Sequence, residues 1–291
     1  MIGRIIKGIG GFYYVRTADG IIQTRGRGIF RRDNITLIVG DMVDIEILPD
    51  GDGVINKLLP RKNYFVRPPI SNVDCIAVTF AAKNPKPNFD LVDKFLIMAE
   101  SKGVSPILCM NKVDLVSEEL AARLVESYTD IYDVVMVSAK DKIGTDKLAH
   151  LIEGKCTAFA GPSGVGKSTI INSLIPEAGA EISEISLKTK RGKHTTRHVE
   201  MFESDLGGFI YDTPGFTSFD LSGIEEGDLS EFYPEIKKLS MAGAGCRFGS
   251  CSHIHEPGCK VLEGLRDGKI NPKRYESYIK NYKELQERKK W

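Results

Sequence analysis

The spacing of apolar residues divides the chain into parts with different predicted structure. In the first sixty residues, short apolar segments are separated by glycine-rich turns, which is typical of β-strands. Five strands are predicted, at 2–7, 12–15, 21–24, 42–47 and 54–58. Five short strands at this spacing favour a small barrel, with an OB-fold as the leading candidate and another small β module as the alternative.

After the proline-rich segment 60–69, which predicts a linker, strands alternate with helices. The predicted strands are 73–80, 106–110, 134–137 and 156–160, and the predicted helices are 90–101, 118–128 and 145–153. This alternation predicts a parallel sheet covered by helices on both faces. Segments 199–203 and 208–211 are expected to form a hairpin that returns to the sheet, and the last thirty residues are expected to be helical.

A glycine-rich segment follows the last of these buried strands and opens a helical pattern, which is the context of a phosphate loop. Glycines let backbone N–H groups turn towards phosphates, and the N-terminus of the helix adds a favourable dipole. In this interpretation Lys167 reaches the β- and γ-phosphates, and the Ser168 hydroxyl binds Mg²⁺. The predicted phosphate-binding residues are Gly161, Pro162, Ser163, Gly164, Val165, Gly166, Lys167, Ser168 and Thr169.

Two further segments indicate that the base is guanine. An Asn-Lys-Val-Asp segment ends a predicted strand, and its Asp114 carboxylate can accept hydrogen bonds from guanine N1–H and from the exocyclic amine. Adenine cannot supply this pair of donors, so a buried site built for them rejects it. A Ser-Ala-Lys segment follows the next strand, and its backbone can contact guanine O6. The predicted guanine-binding residues are Asn111, Lys112, Asp114, Ser138, Ala139 and Lys140.

The segments that sense the γ-phosphate come later in the chain. Asp212 opens an Asp-Thr-Pro-Gly segment after a strand, where it is expected to hold Mg²⁺ through water, and the Gly215 N–H is expected to contact the γ-phosphate. The segment 192–197 lies between the phosphate loop and Asp212, where switch I belongs. Thr196 is the preferred second hydroxyl ligand of Mg²⁺, with Thr195 as the alternative.

Phe216 stands where Ras-like GTPases carry the glutamine that orients the attacking water. A phenyl ring cannot position water by hydrogen bonding, so intrinsic hydrolysis is expected to be slow unless another group orients the water. His194 is the candidate for that role. The predicted catalytic residues are therefore Lys167, Thr196, Gly215 and His194. An ordinary surface histidine is the alternative, and His198 is a weaker competitor.

Three cysteines and a histidine cluster near the C-terminus in the pattern Cys-x4-Cys-x-His-x5-Cys. Three thiolates and one imidazole are the composition of a closed, tetrahedral structural zinc site, so one structural Zn²⁺ per chain is expected. The predicted ligands are Cys246, Cys251, His253 and Cys259, with His255 as the alternative imidazole and a redox pair as the alternative function. Cys75, Cys109 and Cys156 lie in apolar runs and are expected to be buried.

The order of these motifs is unusual, because the guanine-reading segments precede the phosphate loop, as expected of a circularly permuted GTPase. With a barrel before it and the cysteine cluster after it, the chain resembles the RsgA (YjeQ-type) family of bacterial GTPases. The resemblance implies a cytoplasmic GTPase that acts in late maturation of the small ribosomal subunit, is activated by that subunit, and contacts it through the barrel and the zinc domain. It implies a multidomain α/β fold with an OB-like domain at 1–63, a permuted GTPase domain at 64–222 and a zinc-binding helical domain at 223–291.

Charge and composition agree with this class of protein but do not define it. The net charge of +1 conceals two basic ends, since residues 1–63 carry ten Lys/Arg against seven Asp/Glu, and residues 260–291 carry ten against five. Basic ends suit an anionic partner such as rRNA, although solvated surface charge is the alternative. No apolar run approaches the roughly 20 residues that span a bilayer, so a cytosolic protein without a membrane partner is expected. GTP and GDP are the expected nucleotide ligands, and a monomer is the expected state. A metabolic NTPase and a nucleic-acid-binding module with a vestigial GTPase remain the alternatives.

Overall fold

A computed structural model describes residues 1–49, 51–175, 199–213, 216, 221 and 223–288. Five strands of its N-terminal part close into a barrel in the order β1–β2–β3–β5–β4–β1, with a parallel pairing between β3 and β5. This is the strand order of an OB-fold, and the short helix α1 (Gly28–Arg32) lies between β3 and β4 in the chain. The strands are β1 (Ile2–Ile9), β2 (Phe12–Thr17), β3 (Gly20–Gly26), β4 (Met42–Ile47) and β5 (Gly53–Leu58). The predicted OB-like barrel is confirmed.

The central part contains the predicted parallel sheet, in the order β10–β9–β8–β11–β13–β12. Only β12 within this group runs antiparallel to its neighbour, as expected for the returning hairpin. The strands are β8 (Cys75–Ala81), β9 (Ser105–Asn111), β10 (Asp133–Val137), β11 (Cys156–Ala160), β12 (Glu200–Glu203) and β13 (Phe209–Asp212). The helices between them are α2 (Phe89–Ser101), α3 (Glu118–Val125), α4 (Thr145–Ile152) and α5 (Lys167–Leu174).

The segment predicted as a linker forms a small hairpin instead, β6 (Tyr64–Phe65) with β7 (Ile70–Ser71). The Asn63 side chain donates to the Val73 carbonyl and accepts from the Val73 N–H, at 2.8 and 2.9 Å, which closes the base of the hairpin. Buried Phe65 and Ile70 then join the core of the parallel sheet. The proline-rich composition therefore marks an ordered hairpin that packs on the GTPase domain.

The barrel is fixed to the GTPase domain through this hairpin and through a buried carboxylate. Asp41 is fully buried and accepts hydrogen bonds from Arg61 at 2.7 and 2.8 Å and from the Ser71 hydroxyl at 2.6 Å. Strand β1 also continues the central sheet by pairing Lys7 with Glu200 on β12, and the two side chains form an ion pair of 2.7 Å. The sheet therefore runs without interruption from the GTPase domain into the barrel.

The C-terminal part is helical and packs on α2. It contains a 3-10 helix (Glu226–Phe232), α6 (Pro234–Ser240), α7 (Lys260–Arg266) and α8 (Pro272–Arg288). Its apolar core includes Leu221 and Ile97, the latter contributed by α2. At this interface Arg274 is only 2% exposed and pairs with Asp93 of α2 and with Glu235 of α6. None of the described helices has the length and apolar character needed to cross a bilayer.

Candidate functional site

Parallel pairing brings the predicted nucleotide motifs to one edge of the sheet. Strands β9, β10, β11 and β13 end at Asn111, Val137, Ala160 and Asp212, and each of the motifs follows or ends its strand. Because these strands are parallel through the shared neighbours β8 and β11, their carboxyl ends lie side by side. Ligands of open α/β sheets bind at this edge. The structure thus brings together motifs that the permutation separates in sequence.

The phosphate loop has the backbone that its glycines predict. Gly161, Gly164 and Gly166 all have positive φ, at 143°, 80° and 96°. A Cβ at Gly161 would collide with the Thr79 carbonyl, and a Cβ at Gly166 would collide with the Asn111 amide. Helix α5 begins immediately after Gly166, so its N-terminus faces the loop. Ser168 and Thr169 lie exposed in its first turn.

Asn111 connects the guanine-reading segments to the phosphate loop. Its amide donates to the Val165 carbonyl at 2.9 Å, and its side-chain oxygen accepts from the Ala139 N–H at 3.2 Å. Asn111 is buried, so these contacts orient three loops rather than present a polar surface. Asp114 is exposed in the 3-10 turn Val113–Leu115, where its carboxylate is accessible to a base.

Lys112 makes a second connection and reveals a residue that sequence reasoning missed. Its Nζ donates to the Gly164 carbonyl at 2.7 Å and to the Asn84 carbonyl. Asn84 lies in the loop that follows β8, at the same edge of the sheet. Its place just after a buried strand is the one feature of the sequence that could have marked it as a residue of the site. Ser138 is buried and its hydroxyl donates to Asp141 at 3.0 Å, so this residue offers a base its backbone and not its side chain. Lys140 is exposed beside it.

Lys167 lies inside the phosphate loop, where its side chain contacts the backbone of the loop. Its Nζ donates to the carbonyls of Gly161 and Pro162, at 2.6 and 2.9 Å. Burial lowers the pKa of Lys167 to about 8, although the Asp212 carboxylate opposes this change. Burial also raises the pKa of Asp212, with Glu200 adding to the effect and Lys167 opposing it. A bound polyphosphate would favour the charged form of the lysine and raise its pKa again. The Ser168 hydroxyl and the Asp212 carboxylate are oxygen ligands of the kind that Mg²⁺ prefers.

Several predicted switch residues, namely His194, Thr195, Thr196, His198 and Gly215, lie outside the described residues. Phe216 is described, and its ring is fully buried in the core of the sheet. In this position the ring does not face a phosphate site. The missing glutamine is therefore replaced by a packing residue, and the hydrogen bond to water has to come from another group.

The structure also brings together Cys246, Cys251, His253 and Cys259. The four ligand atoms all lie within 4.8 Å of one another, and His253 Nδ1 lies 3.7 and 3.5 Å from the sulfurs of Cys246 and Cys259. In a tetrahedron with Zn–S near 2.3 Å and Zn–N near 2.0 Å, sulfur and nitrogen should be about 3.5 Å apart. His253 is buried, whereas the alternative ligand His255 is exposed. These residues fit a structural Zn²⁺.

Glu256 organises the loop that carries the histidine. Its carboxylate accepts hydrogen bonds from the backbone N–H groups of Ser252, Ile254 and His255 and from the Ser252 hydroxyl. Partial burial raises the pKa of Glu256, but these hydrogen bonds outweigh it and hold the pKa at about 2. The Tyr275 hydroxyl of α8 donates to the His253 carbonyl at 2.8 Å. The predicted ligand geometry is thus supported from both sides of the loop.

These features define a circularly permuted GTPase with two accessory domains. They are the closed OB-like barrel, the phosphate-loop site with its permuted guanine motifs, and the Cys3His cluster. A family model for the RsgA GTPase matches residues 58–222, and one for the RsgA N-terminal domain matches residues 2–55. The chain belongs to the RsgA GTPase family and is a GTP hydrolase.

Full-length relatives and solved structures agree with this assignment. The chain is 39% identical to the small ribosomal subunit biogenesis GTPase RsgA of Alkaliphilus metalliredigens, covering 99% of both chains. It is 44% identical to the protein of the same name from Bacillus velezensis, over 99% of this chain and 98% of that one. The crystal structure of YjeQ from Thermotoga maritima matches with a TM-score of 0.84 and 32% identity over 98% of each chain. YloQ, described as a circularly permuted GTPase, matches with a TM-score of 0.82 and 35% identity, over 99% of this chain and 95% of that one.

Proposed function

We propose that this protein acts in late maturation of the small ribosomal subunit as a GTPase that the subunit activates and that leaves after hydrolysis. The observation that carries the proposal is similarity along the whole chain, barrel and cysteine cluster included, to proteins named small ribosomal subunit biogenesis GTPase. The domains would be 1–63 for the barrel, 64–222 for the GTPase and 223–291 for the zinc domain. The setting would be the cytoplasm, where such a partner is assembled.

GTP binding would use the groups that the fold brings to the edge of the sheet. The backbone N–H groups of the loop 161–166 and the N-terminus of α5 would receive the phosphates, and Lys167 would exchange its loop carbonyls for phosphate oxygens. Asp114 would accept the guanine donors, while Asn111 and Lys112 hold the two halves of the pocket together. Mg²⁺, when bound, would neutralise phosphate charge, with Ser168, Asp212 and Thr196 as its protein ligands.

Hydrolysis would be slow in the isolated protein because no glutamine orients the water. His194 is the proposed replacement, delivered to the site when the subunit binds. Replacement of His194 with alanine should lower subunit-stimulated turnover by about 10²-fold or more, the usual contribution of a positioned general base, with GTP affinity retained. Stimulated turnover of the His194→Ala variant at the wild-type level would refute this role, and His198→Ala is the matched control.

The switch would depend on contacts that exist only with GTP. Thr196 through Mg²⁺ and the Gly215 N–H through the γ-phosphate would hold an ordered state that binds the subunit. Loss of the γ-phosphate removes both contacts, so affinity for the subunit falls and the protein leaves.

Binding to rRNA would rest mainly on charge. Arg25, Arg27, Arg31 and Arg32 are exposed on and beside the barrel, and the Arg25 guanidinium lies 4.3 Å from the centre of the Phe12 ring. Exposed guanidinium groups can bind the phosphates of RNA. The Phe12 ring, which carries the Arg25 guanidinium on one face, could stack against a base with the other. The zinc domain is the second proposed contact with the subunit.

The deciding experiment is multiple-turnover GTP hydrolysis by the full chain alone, with small subunits, and with large subunits. Stimulation by small subunits only is the expected result, and Lys167→Ala should abolish turnover in all three conditions. Fast hydrolysis that neither subunit changes would refute the proposal and favour a metabolic NTPase. Equal binding of small subunits with GTP, GDP and no nucleotide would refute the switch.

A further inference from the structure

Phe216 lies where three parts of the protein meet. Its side chain is fully buried, and its ring packs edge-on against Phe65 and Phe95, with ring centres 6.0 and 5.8 Å away. Phe65 belongs to β6, in the hairpin that joins the barrel to the GTPase domain. Phe95 belongs to α2, the helix on which the C-terminal domain packs. Edge-on aromatic contacts are directional, so they fix the ring more closely than apolar burial alone.

The backbone of Phe216 is tied to the phosphate loop. Its carbonyl accepts a hydrogen bond of 2.9 Å from the N–H of Gly161, the first residue of the loop, and its N–H donates to the Thr213 carbonyl at 3.2 Å. Gly161 is closely packed against the neighbouring strand, because a Cβ at this position would collide with the Thr79 carbonyl. A displacement of Phe216 would therefore act on the first residue of the phosphate loop through this hydrogen bond. In the sequence, Phe216 directly follows the predicted γ-phosphate sensor Gly215.

Both accessory domains reach this residue through ordered contacts. From the barrel, buried Asp41 binds Ser71 of β7, and β7 pairs Ile70 with Phe65. From the C-terminal domain, Arg274 pairs with Asp93, which precedes Phe95 by two positions on the same helix. Packed side chains and rigid elements of this kind can carry coupling between distant sites, and variants are needed to show that they do.

We infer that Phe216 is a positioning residue for GTP hydrolysis, through which the barrel and the C-terminal domain together set the geometry of the phosphate loop. The residue that replaces the glutamine thus connects the catalytic centre to the surfaces that bind the partner. This inference rests on the proposed stimulation by the small ribosomal subunit.

The test is Phe216→Leu, which keeps an apolar side chain but removes both ring contacts. The measured quantity is the ratio of subunit-stimulated to basal turnover, with GTP KM and kcat determined separately. The ratio should fall about fivefold or more, which corresponds to a coupling free energy of roughly 1 kcal/mol, because stimulated kcat falls more than basal kcat. Phe95→Leu should lower the ratio as well, and the double variant should be no worse than Phe216→Leu, since the two residues share one contact.

Phe80→Leu is the matched control. Phe80 is equally buried in the same core, and its ring packs edge-on against Phe89 with ring centres 5.7 Å apart. It should lower the melting temperature as much as Phe216→Leu while the stimulation ratio stays at the wild-type value. A wild-type ratio in Phe216→Leu, or an equal loss in Phe80→Leu, would overturn the inference and leave the proposed function intact. Absence of stimulation in the wild-type protein would instead refute the proposed function, and the inference with it.

Discussion

Replacing Arg274 with methionine should weaken the attachment of α8 to the GTPase domain. The guanidinium is 2% exposed and lies between the carboxylates of Asp93 and Glu235, whose side chains are 4% and 9% exposed. Tyr128 and Tyr233 present ring faces to it, at 5.2 and 4.8 Å. Methionine fills a similar volume without the charge. The variant therefore tests the effect of leaving the two buried carboxylates without their counter-ion.

The expected cost follows from these contacts. Breaking a buried ion pair by removing one partner costs about 3–5 kcal/mol, because the remaining charge is stranded. A stranded carboxylate can escape its charge by taking up a proton, so the cost of protonation limits the penalty. For an aspartate of ordinary pKa near 3.9, that cost at pH 7 is about 4 kcal/mol. Asp93 also keeps the hydrogen bond of 3.0 Å from the Tyr128 hydroxyl. We therefore expect a loss of about 3 kcal/mol, near the lower end of that range.

Amide hydrogen exchange measures this loss where it occurs. Amides of α8 should exchange roughly 100-fold faster in Arg274→Met than in the wild type, the equivalent of about 3 kcal/mol in local opening, while β8 stays protected. Burial raises the pKa of Asp93 although Arg274 opposes it, so removing the arginine raises that pKa further. At a pH between the ordinary pKa of an aspartate and the raised pKa of Asp93, the native variant binds more protons than its unfolded state. The stability that the variant has lost relative to the wild type should therefore shrink as pH falls from 7 towards 5.

Arg288→Met is the control on the same helix. Arg288 pairs with Glu284 one turn away, but the two side chains are 40% and 30% exposed, so the change should cost less than about 0.5 kcal/mol. If the two variants exchanged at similar rates at pH 7, or if the deficit of Arg274→Met grew as pH fell, the assignment of a buried charge cluster would be wrong.

Three further changes test other parts of the structure. Asp114→Asn should weaken GTP and strengthen xanthosine triphosphate in a competition assay, and an unchanged base preference would contradict the guanine assignment. Lys7→Glu or Glu200→Lys should each lower the melting temperature by roughly 2–4 °C, the equivalent of about 1 kcal/mol. The double variant, which restores opposite charges with their positions exchanged, should recover the wild-type melting temperature, and a failure to recover it would show that the ion pair does not stabilise the contact between β1 and β12. Cys259→Ser should reduce bound zinc well below one per chain and destabilise α7, whereas Cys75→Ser, which changes a buried thiol far from the cluster, should keep a full zinc content.

Local patterns predicted much of the fold because they depend on neighbours in sequence. Apolar spacing located the barrel strands and the alternating strands and helices, and it identified 156–160 as the strand before the phosphate loop. The predicted helix at 118–128 is shorter in the structure and ends at Val125, where an irregular turn follows. Helix ends depend on caps and tertiary packing, which periodicity does not report.

Contacts between distant residues could not be predicted in this way. The proline-rich segment suggested a linker, because the Asn63–Val73 hydrogen bonds that make it a hairpin are specific to the folded chain. Likewise, sequence showed that Phe216 is not a glutamine, but not that its ring packs between β6 and α2. The partnership of Arg274 with Asp93 joins positions far apart in the chain, and no local signal marks either residue as buried.

The permuted order determines which strand of the GTPase sheet leads into the C-terminal domain. Strand β13 is the last strand of that sheet in the chain, so the segment predicted to contact the γ-phosphate is also the one through which the chain leaves the GTPase domain. Phe216 still lies in the sheet core, whereas Leu221, five positions later, already lies in the core of the C-terminal domain. Four residues of the chain separate Phe216 from Leu221, so the GTPase core and the core of the zinc domain are neighbours along the covalent chain as well as in space.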